Sequence, residues 1–148
     1  FGDSVEIARR TGATVVAIPE VIGLFPKTVL NFAPMNLGGQ YKTDFATIKM
    51  VQALHSCGVP GRIPCGFIIS FKEGPTVYYA GDTALFGDMK LFGEMYDIDY
   101  AILPIGDNYT MGGCAPRCEI PESKACDPPS LQYLARHRAG SGGVCGKG

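Results

Sequence analysis

The sequence predicts a layered α/β domain, in which strands alternate with helices along the chain. Residues 13–18 (ATVVAI) and 100–105 (YAILPI) are short apolar runs of the kind that form buried strands. Residues 85–96 carry apolar side chains near helical spacing and predict a helix between strands. The chain has 148 residues, which is enough for one domain with a hydrophobic core.

The first part of the chain predicts a helix, a strand, a short helix and a turn. Residues 3–10 (DSVEIARR) place apolar residues among charges, and Gly12 follows as the expected C-cap. The strand at residues 13–18 comes next. Residues 19–24 begin with a proline, which is typical of a first helical turn. Residues 36–40 (NLGGQ) form a cluster that predicts a turn.

The middle of the chain predicts a strand followed by a hairpin. Residues 47–54 (TIKMVQAL) alternate between apolar and polar types, which favours a strand. Residues 65–71 and 76–80 are apolar runs on either side of residues 72–75 (KEGP). This arrangement predicts two antiparallel strands joined by a turn.

The overall composition argues against several classes of partner. A formal charge of −1 and a pI near 6.1 give no basic excess for nucleic acid or an anionic membrane. No stretch predicts a signal peptide or a transmembrane span, because prolines and charges interrupt the most apolar region, residues 13–34. Cys57 and Cys65 are the only cysteines before residue 113, so we expect a cytoplasmic location and no disulfide between them.

The character of the sequence changes after Gly112, which predicts a boundary between residues 1–112 and 113–148. The second segment has no apolar period, a glycine-rich end and one aromatic residue, Tyr133. Such a composition predicts a disordered tail. A small zinc knuckle is an alternative, although the spacing of its candidate ligands fits no established pattern. Those ligands would be Cys114, Cys118, Cys126 and His137.

Two polar residues that follow predicted strands are candidate metal ligands. His55 comes directly after residues 47–54, and Asp82 follows residues 76–80 in the segment AGDT. Each has an ordinary alternative, since such a histidine can be a surface or core residue and such an aspartate a turn residue or N-cap. Neutral imidazole and carboxylate are nevertheless suitable donors for Zn²⁺ or Mn²⁺, and a carboxylate can bridge two cations.

A longer pattern favours the metal-ligand interpretation. It consists of GDSVEIARRTGATVVA, PMNLGGQY, VQALHS, VYYAGDTALFGDMKLFGEMY and ILPIGDNYTMG. With these segments, residues 1–112 resemble the uncharacterised metal-dependent hydrolase family of the metallo-β-lactamase superfamily. The stretch AGDTALFGDMK is the most distinctive part of the resemblance.

The resemblance implies a partial metallo-β-lactamase αββα sandwich with a metal site at the edge of two sheets. In that site His55 is a terminal ligand and Asp82 bridges two divalent ions, which are Zn²⁺ or alternatively Mn²⁺ or Fe²⁺. The implied activity is hydrolysis of a small-molecule ester, lactone or phosphodiester by a metal-activated water. Asp107 and Asn108 follow residues 100–105 and would line the pocket or contact a ligand, with a turn role equally open. The oligomeric state is not indicated.

Two ligand motifs of the family are missing from the chain. His-x-His-x-Asp-His would precede Phe1, and Pro-x-His-Tyr-Asn-Thr would fall within residues 113–148. Read one base later with permitted codons, residues 129–137 can encode His-His-Tyr-Asn-Thr-Trp-Pro-Val. We therefore expect a frameshift beyond Gly112, with His137 not a ligand, and a chain that as written binds metal poorly and is inactive. A non-catalytic remnant or a binding module of the same fold is the alternative.

Overall fold

The computed structural model describes residues 2–28, 31–111 and 133–136, and it confirms the predicted α/β class. Among these residues no helix combines the length and the apolar character that crossing a bilayer requires. The elements in chain order are α1 (Ser4–Thr11), β1 (Val15–Ala17), α2 (Pro19–Ile22), β2 (Phe32–Pro34), β3 (Gln40–Lys42), β4 (Ala46–Gln52), β5 (Cys65–Phe71), β6 (Thr76–Tyr79), α3 (Asp88–Met95), β7 (Tyr100–Leu103) and β8 (Tyr133–Arg136).

The strands form two sheets, and the larger one determines where the loops gather. β1 and β2 pair in parallel, while the other strands form a six-stranded sheet in the order β3-β4-β5-β6-β7-β8. β5 is antiparallel to both β4 and β6, and β7 is parallel to β6. The strands β4, β6 and β7 therefore run in the same direction and end at the same edge of the sheet.

Alternation along β4 and β5 builds an apolar core on each face of the larger sheet. Successive strand residues point to opposite faces, so Met50 and Phe67 contribute to one core while Val51 and Ile68 contribute to the other. The first core also contains Ile18 and Met35 from the connections around β1 and β2. The second core contains Tyr78, Ala80 and Ile98, with Phe92 of α3 packed against it.

Three differences from the sequence prediction have local physical causes. β2 and β3 were not predicted, because three-residue strands are too short to show a period. The last predicted helix was expected to begin at residue 85 but begins at Asp88. The segment before it is held in another conformation, since the Ala84 N–H donates to the carbonyl oxygen of Leu54 at 2.8 Å.

The strand β8 lies within residues 113–148, the segment whose composition predicts a disordered tail. It pairs antiparallel with β7, and Arg136 is opposite Tyr100. Without β8, β7 would be the edge strand, and such an edge offers backbone N–H and C=O groups that can pair with another strand whatever its side-chain pattern. The other residues of this segment, including its cysteines and His137, lie outside the described residues.

Candidate functional site

The common edge where β4, β6 and β7 end brings the predicted site residues into one region. His55 lies three residues beyond the end of β4 at Gln52, and Asp82 lies three residues beyond the end of β6 at Tyr79. Both loops therefore leave the sheet in the same direction, on either side of the start of β5. The topology alone thus explains how residues far apart in sequence come together.

His55 and Asp82 line the same cavity, which has a volume of about 280 Å³. Its walls combine polar, charged, sulfur-containing and apolar side chains. They are Val21, His55, Ser56, Cys57, Arg62, Ile63, Pro64, Cys65 and Asp82.

The half-buried imidazole of His55 has one ring nitrogen occupied by a local contact. Its Nδ1 lies 2.8 Å from the carbonyl oxygen of Ser56. When Nδ1 carries the proton it donates to this oxygen, and the lone pair of Nε2 is then available to a metal ion. No partner of Nε2 occurs among the described residues. The ring therefore has the form that metal ligation requires.

Asp82 is exposed at the cavity, and Gly81 determines how the chain reaches it. Gly81 has a φ of +66°, in the left-handed region that favours glycine. A Cβ atom on Gly81 would lie 2.7 Å from the carbonyl oxygen of Cys65, closer than real contacts allow. Within the described part of the chain the carboxylate of Asp82 has no ion pair or hydrogen bond, so both of its oxygens are available.

Thr83 connects the loops that carry the two candidate ligands, and the sequence analysis did not identify it. Its side chain is fully buried, and its Oγ1 accepts the Leu54 N–H at 2.9 Å. Its hydroxyl donates to the carbonyl oxygen of Ala84 at 2.8 Å, and its own carbonyl oxygen accepts the Met111 N–H at 3.0 Å. The sequence feature that could have indicated Thr83 is its position directly after AGD, in the most distinctive segment of the resemblance.

Asp107 and Asn108 lie beyond the end of β7 but do not line this cavity. Asp107 has a φ of +56°, and its carbonyl oxygen accepts the Thr110 N–H at 2.6 Å. This geometry is that of a turn, which is the role the sequence analysis left open for both residues. Contact of either side chain with a metal ligand stays a prediction.

Two cysteines that the sequence analysis did not place at the site also line the cavity. Cys57 is exposed and Cys65 is half-buried, and within the described residues neither forms a disulfide. Burial raises the pKa of the Cys65 thiol above its usual value. Cys65 is therefore less ionised at neutral pH than an exposed thiol.

Among the described residues, no group of three or more histidine, cysteine, aspartate or glutamate side chains is arranged to hold a metal ion. His55 and Asp82 fit a divalent cation by their chemistry, because one offers an imidazole nitrogen and the other two carboxylate oxygens. Two residues are fewer than the four protein or solvent donors that Zn²⁺ usually takes. The pair can therefore be only part of a metal site.

The chain resembles known hydrolases in sequence. Residues 5–128 match the family described as the β-lactamase superfamily domain, so the match extends beyond Gly112. A metal-dependent hydrolase of Natranaerobius thermophilus is 43% identical over 111 residues, covering 75% of this chain and 50% of the relative. One of Shouchella clausii is 47% identical over 125 residues, covering 75% and 53%. The chain thus spans about half the length of these curated relatives.

Solved structures show a similar fold. A metallo hydrolase from the archaeon Ignicoccus hospitalis has a TM-score of 0.65 and 40% identity, covering 75% of this chain and 49% of that one. A protein of Veillonella parvula, described as a possible metal-dependent hydrolase, has a TM-score of 0.56 with 17% identity. Its likeness covers 67% of this chain and 44% of that one, and at this identity it shows the fold alone.

Proposed function

Since this chain belongs to the β-lactamase superfamily domain family, we propose that it is part of a metal-dependent hydrolase whose metal site includes His55 and Asp82. The observation that carries the proposal is that these two residues, 27 positions apart in sequence, line one cavity at the sheet edge. Their chemistry matches the metal dependence in the names of the Natranaerobius and Shouchella relatives.

Each candidate ligand has a distinct role in this proposal. His55 binds a single ion through Nε2, while its Nδ1–H donates to the carbonyl oxygen of Ser56 and fixes the plane of the ring. Asp82 would be the bridging ligand of two ions, and the oxygens of its carboxylate have no other contact within the described residues. We propose Zn²⁺ as the metal, with Mn²⁺ or Fe²⁺ as alternatives.

The proposed reaction is hydrolysis of a small-molecule ester, lactone or phosphodiester. A bound divalent cation lowers the pKa of water toward neutrality and polarises the bond to be cleaved. A cation held by His55 and Asp82 would lie at the cavity that both residues line. A volume of about 280 Å³ accommodates the reacting part of a small molecule. Val21, Ile63 and Pro64 form the apolar part of the cavity wall.

We further propose that the chain as written is inactive, which keeps a non-catalytic remnant as the second candidate. The observation favouring this is that the described residues contain no group of three or more potential ligands. Two protein donors cannot enclose two cations that each need about four or more donors. A frameshift beyond Gly112 is part of the same proposal, and sequencing the encoding DNA across that position tests it.

The experiment adds the His-x-His-x-Asp-His segment to the N-terminus and shifts the tail by one base. Turnover of a nitrophenyl ester, a lactone and bis(nitrophenyl) phosphate is compared with that of the unchanged chain. We expect hydrolysis of at least one substrate by the extended chain only, with loss in Asp82→Ala and His55→Ala. Asp44→Ala is the matched control, since Asp44 lies between β3 and β4, away from this edge. Activity that survives Asp82→Ala would contradict the proposal.

A further inference from the structure

We propose that Arg62 forms an anion-binding subsite in the cavity, so that the substrate carries a carboxylate or phosphate group near the bond that is cleaved. The claim that the anionic group belongs to a substrate rests on the proposed function. The claim that Arg62 binds an anion does not. Among the described residues that line the cavity, Arg62 is the only lysine or arginine. The proposed metal site gives Arg62 no role.

The first supporting observation is that no described residue neutralises the positive charge of Arg62. Within the described residues the one ion pair joins Lys90 to Glu94 on α3, and Arg62 has none. Its side chain has no hydrogen-bond partner there either, although it is half-buried. A guanidinium that lines a cavity without a protein partner forms stronger, charge-assisted hydrogen bonds with an anionic ligand than with a neutral one.

The second observation concerns how the chain directs Arg62 into the cavity. Gly61 has a φ of +76°, and the Arg62 N–H donates to the carbonyl oxygen of Val59 at 3.3 Å. The chain then passes through Ile63 and Pro64 into β5, and both of these residues also line the cavity. The turn thus brings Arg62 to the cavity beside the apolar residues Ile63 and Pro64.

The acidic groups nearest to Arg62 do not explain its presence. Asp82 lines the same cavity but lies outside ion-pair distance of the guanidinium. The Glu20 Cγ would lie 3.8 Å from a Cβ on Gly61, yet Glu20 forms no ion pair with Arg62. A divalent cation bound by Asp82 would further neutralise that carboxylate. The guanidinium would then remain available to an anionic group of the substrate.

The geometry of a guanidinium favours carboxylate or phosphate over a halide or a neutral group. Its planar N–H donors form two parallel hydrogen bonds with two oxygens of such an anion. The cavity therefore has a metal-ligand part, at His55 and Asp82, and a cationic part at Arg62. A substrate that binds both parts has its reacting bond at one and its anionic group at the other.

The test is an NMR titration of the metal-free chain with two matched pairs of probes. Dimethyl phosphate is compared with its neutral analogue trimethyl phosphate, and acetate with methyl acetate. We expect saturable shifts of backbone amides in residues 55–65 with the anions and not with the neutral analogues. The anion that binds with the higher affinity, dimethyl phosphate or acetate, shows whether the subsite favours phosphate or carboxylate.

Variants assign the binding to Arg62. Arg62→Gln should weaken anion binding by about tenfold or more, because it removes a charged hydrogen-bond donor. Arg62→Lys should retain part of the affinity, since the charge remains but the paired donors do not. Arg10→Gln is the matched control on the exposed face of α1 and should bind like the unchanged chain. Equal affinity in the unchanged chain and Arg62→Gln, or equal binding of the neutral analogues, would overturn the inference.

The result is independent of the proposed hydrolase function. Asp82→Ala should leave anion binding intact or strengthen it, because removal of a nearby negative charge reduces repulsion of the anion. Loss of anion binding in Asp82→Ala would count against a separate subsite at Arg62. Anion binding that depends on Arg62, together with a failure of the extended chain to bind metal, would refute the metal site and leave this inference standing.

Discussion

Replacement of Thr83 by valine should weaken both the fold and the connection between the two ligand-bearing loops. Valine keeps the shape of threonine in a side chain that is fully buried, but it removes the Oγ1 that accepts the Leu54 N–H. The substitution also removes the hydroxyl that donates to the Ala84 carbonyl oxygen, and each lost hydrogen bond destabilises a protein by about 1 kcal/mol. We expect the free energy of unfolding to fall by about 2 kcal/mol for the two bonds.

The assay combines urea unfolding with hydrogen exchange of single amides. Thr83→Val should speed the exchange of the Leu54 amide much more than that of Ile68, which lies in the core beneath α3. Thr83→Ser is the matched control, because it keeps the hydroxyl and loses one buried methyl group, which is worth about 1 kcal/mol. A Leu54 amide that stays protected in Thr83→Val, with unchanged stability, would refute the role assigned to this hydroxyl.

Three further predictions concern other residues around the site. Gly81→Ala should lose about 2 kcal/mol of stability, because Gly81 has a positive φ and an added Cβ would clash with the Cys65 carbonyl oxygen. The control Gly93→Ala, in α3, should gain up to about 1 kcal/mol. Equal urea midpoints for the two variants would contradict this prediction. Burial raises the pKa of Tyr78 to about 12, so stability should be constant below the unfolded pKa near about 10 and fall as pH rises through about 12. Tyr78→Phe should be at least as stable as the unchanged chain at neutral pH, because the buried Tyr78 hydroxyl has no partner among the described residues. The variant should also lack the loss of stability at alkaline pH. A marked loss of stability at pH 7 would argue for a missed hydrogen bond. A thiol reagent at pH 7 should modify Cys57 before Cys65, because burial raises the pKa of Cys65 and lowers its thiolate fraction. Peptide mass mapping measures the order of modification. The opposite order would show that the loop shields Cys57.

The sequence was sufficient to predict those parts of the fold whose pattern is local. The alternation in β4 and the paired runs that became β5 and β6 have periods long enough to identify. Gly12 was predicted as the C-cap of α1, and it has a φ of +70° with its N–H bonded to the Ala8 carbonyl oxygen. The partial metallo-β-lactamase sandwich is confirmed by the family match and by the structural likeness to the Ignicoccus metallo hydrolase.

Features that depend on contacts between distant residues could not be predicted from the sequence. The late start of α3 at Asp88 follows from a hydrogen bond between Ala84 and Leu54, which local helix propensity does not report. Thr83 lies in a distinctive segment, but its burial and its partner in another loop are not visible in the sequence. Arg62 was likewise unremarkable until the turn at Gly61 placed it beside His55 and Asp82.

The most direct test of the metal site is a Mn²⁺ titration of the chain as written, followed by paramagnetic broadening of amide signals. Mn²⁺ suits imidazole and carboxylate donors and has little preference for thiolates, so cysteines outside the described residues interfere least. We predict weak, saturable broadening centred on His55 and Asp82, and its loss in both His55→Ala and Asp82→Ala. Broadening elsewhere, broadening that persists in Asp82→Ala, or two ions retained through dialysis would contradict the proposed site.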